Sequence, residues 1–117
     1  MPPMDFMTTW ITQLKKGIAE YTILLILAQR EAYGYEILQA LLKTRHLAFG
    51  ESTIYPLLSR LAEENHVSIR IVNSQNGPPR RYYCLTPAGK KRLAEMERHL
   101  NEILRSIKTV KEGKYRE

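Results

Sequence analysis

The tightest constraint on the fold of this chain is a change of period. Val67, Ile69 and Ile71 alternate with Ser68, Arg70 and Val72, and after a gap Arg81, Tyr83 and Leu85 alternate with Tyr82 and Cys84. A period of two belongs to strands, whereas the apolar residues on either side of this region follow the helical period. Asn76-Gly77 lies between the two runs and is expected to supply positive-φ turn geometry, so the pair reads as one hairpin. The predicted class is therefore mainly α with a small β-hairpin (α+β).

Three helices precede the hairpin. From Thr8 or Thr9 to about Gln29, the residues Ile11, Leu14, Ile18, Tyr21, Leu25 and Ala28 recur at alternating spacings of three and four, forming one apolar stripe. Ile23, Leu24, Ile26 and Leu27 add apolar surface on the other faces, so the second half of this helix must be covered on nearly all sides. The stripe on the first half, through Trp10 and Ile11, has no evident partner within the chain.

Tyr33-Gly34-Tyr35 interrupts the pattern. Ile37, Leu38, Leu41 and Leu42 then define a second helix ending near Lys43 to His46, and Leu47-Ala48-Phe49-Gly50 is a connector. In the third helix Ile54, Leu57, Leu58 and Leu61 face inward. Ser52, Ser59 and Glu63 face outward, with Tyr55 and Arg60 on the flanks. Pro56 lacks an N–H and crowds the carbonyl of Ser52, which puts the start of this helix near Gly50 to Thr53.

After the hairpin, Thr86 is an N-cap and Pro87 occupies the first helical position. Leu93, Met96, Leu100, Ile103, Ile107 and Val110 then form a seam with the spacing of a partner helix. The charged tail from Lys111 is expected to fray.

Helix, helix, helix, hairpin is the order of a winged helix-turn-helix, here with an N-terminal helix and a C-terminal dimerisation helix. The expected organisation is a DNA-binding unit over residues 8–86 (wing 67–86), a dimerisation helix over 87–112, and a tail of 113–117. In such a unit the third helix enters the major groove, placing Ser52, Thr53, Tyr55, Ser59 and Arg60 at the duplex. Short hydroxyl side chains allow close approach, and arginine can take phosphate or guanine. Pro78 and Pro79 stiffen the wing tip, so Arg80 and Arg81 leave a pre-positioned cationic arm suited to a phosphate backbone or a minor groove.

The balance of charge agrees: the 117 residues carry a formal charge of +6 with pI near 9.6, which favours an anionic partner. Trp10, Ile11, Leu14 and Ile18 on the first helix, with the seam on the fourth, are the candidate dimer interface. Trp10, Met96 and Leu100 are candidates to line a pocket for a small aromatic or drug-like effector, with ordinary dimer packing as the alternative.

Three segments, "YGYEI" (33–37), "TIYPLLSRLAEE" (53–64) and "GPPRRYYCLTPAGKKRL" (77–93), resemble the PadR family of transcriptional regulators over about Gly17 to Leu93. The resemblance implies a homodimer whose C-terminal helix packs on the N-terminal helix of the other subunit. It further implies binding to a pseudo-palindromic operator, repression, and release by a small effector. Asn65-His66 stands where the family often has Gly-Leu, and Asn65 can adopt the left-handed cap. Gly50 stands where the family often has a serine cap.

Other classes are disfavoured. No glycine-rich phosphate loop, nucleophile elbow or acidic pair beside a histidine supports an enzyme. His46, His66, His99 and Cys84 lack metal-ligand spacing, so no metal or cofactor is expected. Cys84, the single cysteine, reads as an inert strand thiol. The longest apolar run, Ile23 to Ala28, is too short for a membrane span, and Met1 to Asp5 lacks a secretory start, which gives a cytoplasmic expectation. The remaining alternative is a winged-helix module that docks proteins and binds no DNA.

Overall fold

The computed structural model of the protein describes residues 6–116. Met1 to Asp5 and Glu117 lie outside them. The elements run α1 (Phe6–Gln29), β1 (Ala32–Tyr33), α2 (Gly34–Lys43), a 3-10 turn (Arg45–Leu47), α3 (Glu51–Glu63), β2 (Val67–Val72), β3 (Arg80–Leu85) and α4 (Pro87–Lys111). Thus the three helices, the hairpin and the fourth helix follow in the predicted order.

The core gathers around the second half of α1. Ile23 and Leu24 from α1, Ile37 from α2, Ile54, Leu58 and Leu61 from α3, and Val67 from β2 are all fully buried. Burial of each such side chain contributes about 1.5–3 kcal/mol before entropy is counted. Phe49, in the segment read as a plain connector, is also buried and closes the core between α2 and α3. We call this packed unit the head.

Two expectations about the hairpin are corrected. The sheet has three strands in the order β1-β3-β2, because Ala32 and Tyr33 pair antiparallel with Tyr83 and Tyr82. A two-residue strand has no periodicity to read. At the tip, Asn76-Gly77 does not adopt positive φ: among the described residues that geometry belongs to Asn65 (φ 63) and Gly113 (φ 70). The strands pair from Val67↔Leu85 to Val72↔Arg80 and are joined by residues 73–79, a loop long enough to turn without the left-handed centre a two-residue hairpin needs.

The junction between α3 and α4 is tightly specified. Asn65 takes the left-handed position at the end of α3, where its N–H donates to Ala62 and that of His66 to Leu61, the double bond of a Schellman cap. Thr86 caps α4 by accepting from the Gly89 N–H at 3.0 Å, and its hydroxyl donates to the Asn65 carbonyl at 2.6 Å. A Cβ on Gly89 would lie 2.0 Å from the His66 carbonyl oxygen, so only glycine allows this close approach. Past Lys111 the chain turns through a second cap of the same kind at Gly113.

Beyond the head, α1 and α4 each leave an apolar stretch uncovered within the chain. Trp10, Ile11 and Leu14 are 43–50% exposed, and Ile103, Leu104, Ile107 and Val110 are 47–61% exposed. Among the described residues no helix is long and apolar enough to cross a membrane.

Candidate nucleic-acid interface

The outward strip of α3 is as its periodicity predicts: Ser52, Ser59 and Glu63 are exposed opposite the buried Ile54, Leu58 and Leu61. Its flanks open onto two different hollows. On one side Tyr55 and Ser59 face Pro79, Arg80 and Arg81 of the wing across a groove of about 430 Å³, whose wall is completed by Tyr33, Gly34, Tyr35 and Tyr83. On the other side Thr53 and Arg60 face α1 and α4 across a hollow of about 590 Å³. The residues predicted as one surface are therefore divided, with Tyr55, Ser59, Arg80 and Arg81 together and Thr53 and Arg60 apart from them.

Aromatic rings hold the groove side in place. The Arg80 guanidinium lies 4.7 Å above the Tyr33 ring centroid, and Arg70 lies 5.2 Å above Tyr82. Each contact is worth roughly 0.5–1 kcal/mol where exposed. Tyr33 in turn meets Tyr82 edge-on at 5.4 Å and stacks on Tyr35 at 6.5 Å. The wing is thus tied to the head by β1, and Arg80 is pre-aimed by stacking as well as by the prolines. Tyr55 packs on the bare backbone of Gly34, where a Cβ would come within 2.4 Å of its ring. Burial, with the nearby Glu51 carboxylate, pushes the Tyr55 hydroxyl above its ordinary range, so it remains a donor at neutral pH.

Arg60 is occupied. Its guanidinium donates to Glu20 Oε1 at 2.7 Å, while Arg92 of α4 holds Glu20 Oε2. Glu20 is buried in the middle of α1. Burial alone would push its carboxyl up, but the hydrogen bonds and charges of Arg92 and Arg60 outweigh that and hold it below the usual carboxylate range. On the sheet side Glu31 pairs with Arg70 and accepts from Cys84 Sγ at 3.0 Å. That hydrogen bond, with burial, pushes the Cys84 thiol up, away from the thiolate that reactivity requires. His66 Nδ1 is buried without a hydrogen-bond partner, with Glu64 Oε1 at 3.8 Å.

Sequence reasoning missed Tyr33, Tyr35, Glu20 and Arg92. For Glu20 a signal existed: a lone carboxylate inside the apolar block of a central helix needs a partner. For the tyrosines none did, since Tyr33 is placed by β1 and Tyr35, in the first turn of α2, by stacking on Tyr33.

The candidate interface and pocket residues also separate. Leu93 and Met96 pack against the chain's own core, because α4 crosses α1 at its N-terminal end, where Tyr21 donates to Glu97 at 3.4 Å. They therefore serve the head first. Ile18 and Leu100 are half-buried between α1 and α4, where with Met96, Gly17, Tyr21 and Ile103 they line a groove of about 250 Å³. Trp10 is not part of that lining within one chain.

Comparison with known proteins gives this geometry a context. The family model described as the transcriptional regulator PadR-like family matches residues 23–95. A PadR-like transcription factor from Bacteroides fragilis is 39% identical, with 85% of this chain and 95% of that one covered and a TM-score of 0.76. A PadR-like transcriptional regulator from Bacillus cereus is 34% identical, covering 84% and 95%, with a TM-score of 0.73. A PadR family transcriptional regulator from Eggerthella lenta is 25% identical, covering 91% and 92%, with a TM-score of 0.80. With more than half its length matched and its helices and sheet reproduced in those structures, the chain belongs to the PadR-like family of transcriptional regulators.

Proposed function

We propose that this regulator binds double-stranded DNA as a homodimer and acts as a repressor at a pseudo-palindromic operator. The observation that carries the reading is the groove in which Tyr55 and Ser59 of α3 meet Arg80 and Arg81 of the wing. Helix and wing present hydroxyl donors and two cations around one groove, which suits a major-groove helix flanked by a backbone clamp. Ser52, at the exposed start of α3, approaches the base edges, while Thr53, facing α1 and α4, is set back from them.

The second support is the bare apolar surface at the ends of α1 and α4. Ile103, Ile107 and Val110 on α4, with Trp10, Ile11 and Leu14 on α1, are too extensive a set to leave in water, and a second copy covers them. The dimer spaces two heads by about one helical turn of DNA, roughly 10 bp, or a multiple. A small aromatic effector fits the groove lined by Met96 and Leu100 once the second copy's α1 brings its Trp10 beside it.

The test is selection of duplexes from a random pool by the full chain, followed by binding of the enriched sequence by the charge-reversed variant R80E/R81E. Loss of retention at low salt supports the assignment, and full retention by the variant rejects it in favour of a protein-docking module. Titration of the Trp10 fluorescence with aromatic acids and planar drugs tests the effector groove, and an unchanged spectrum rejects it.

A further inference from the structure

The Glu20 node joins three helices that do different jobs. The carboxylate belongs to α1, its Oε1 takes Arg60 from α3, and its Oε2 takes Arg92 from α4. The partners are far apart in sequence, and between them lies the hollow of about 590 Å³ lined by Lys16, Thr53, Pro56, Leu57 and Met96 as well. On this side α3 meets α1 and α4 across that hollow, with Leu57 and Met96 only partly buried against the core. It is spaced by a charged bridge.

Only the Glu20 end of the bridge is buried, since the Arg60 and Arg92 side chains are 55% and 40% exposed, so its net contribution to stability is small. What it supplies is direction: with both carboxylate oxygens engaged, the relative placement of the two guanidinium groups is fixed. One end of this bridge is on the helix assigned to the major groove, and the other is on the helix whose continuation carries the exposed apolar surface.

We propose that Glu20 is a positioning residue for DNA recognition, which fixes the tilt of α3 through Arg60 and ties that tilt to α4 through Arg92. The inference rests on the DNA-binding reading above. It also reassigns Arg60, whose part is to brace α3 while Tyr55, Ser59, Arg80 and Arg81 touch the duplex.

Electrostatics gives the test its sign. E20Q removes a negative charge from the head, and charge alone would tighten binding to a polyanion. A positioning role predicts the opposite: weaker binding to the duplex selected by the wild-type chain, by roughly five- to tenfold. It also predicts a flattened preference among duplexes whose half-sites are moved apart or together by single base pairs, with E20D restoring part of both. R60Q, which leaves the Glu20–Arg92 pair in place and so keeps the chain folded, should repeat the loss without changing the salt dependence.

Tighter or equal binding by E20Q with an unchanged spacing preference overturns the proposal. So does a fall of about 0.9 in the salt slope for R60Q, since that is the mark of a lost phosphate contact. If the wild-type chain enriches no duplex at all, the DNA-binding reading fails and takes this one with it. Enrichment by the wild type with indifference in E20Q sinks only the node.

Discussion

α1 carries apolar residues on two faces, and they meet opposite fates. Ile23, Leu24 and Leu27 are buried to 0–4% exposure inside the head, whereas Trp10 and Leu14 on the same helix are 50% exposed. α4 repeats the contrast in reverse, with Leu93 and Met96 packed on the core and Ile103, Ile107 and Val110 bare. In α4 one continuous seam thus serves as scaffold along its first half and is left bare along its second. What separates the halves is the point at which α1 and α4 cross, near Glu20–Arg92 and Tyr21–Glu97.

The largest test of this contrast is Leu58→Ala in the fully buried face of α3. It should cost about 2–5 kcal/mol and lower both Tm and the urea midpoint. Leu104→Ala on the projecting part of α4 should stay within about 0.5 kcal/mol under dilute, monomeric conditions. Equal losses at the two sites would erase the distinction between head and projection.

Gly89→Ala follows. Its methyl meets the His66 carbonyl, and the repacking should cost about 1–3 kcal/mol of unfolding free energy. A neutral result would mean that the α3–α4 junction yields more easily than its caps suggest.

Next comes the paired change I103E/I107E, expected to weaken self-association at least tenfold, about 1.4 kcal/mol, in sedimentation while the helical circular dichroism is kept. Unaltered association would place the dimer surface elsewhere.

The smallest effect is in acid. The folded-state pKa of Glu20 lies below its unfolded value, so the carboxylate stabilises the fold above about pH 4.3. That contribution is lost as the pH falls through the lowered folded value. An acid titration of unfolding should therefore be shallower in E20Q than in the wild type, and identical slopes would show that the node does not titrate with folding.

How much of this was legible beforehand varies with how local the cause is. The stripe of α3, the Thr86 cap, the left-handed Asn65 and the strand alternation all follow from short-range rules, and each stands where those rules put it. The groove was half legible: Tyr55, Ser59, Arg80 and Arg81 stand out by residue type, but Tyr33 enters it through a strand too short to show a period and Tyr35 from the first turn of α2. Leu93 and Met96 were placed in the seam with the rest because spacing alone cannot tell a partner within the chain from one outside it.

By itself, then, the sequence determined the helices, the hairpin, their order and the basic, proline-stiffened wing, since each depends on backbone sterics and on apolar periods within a few residues of one another. Only the tertiary structure decided that Arg60 pairs with Glu20, that Arg80 rests on Tyr33, and where the apolar seam of α4 stops being core. Those outcomes depend on which distant groups arrive at the same place, and a buried charge or an aromatic face takes whichever partner the packing brings within reach.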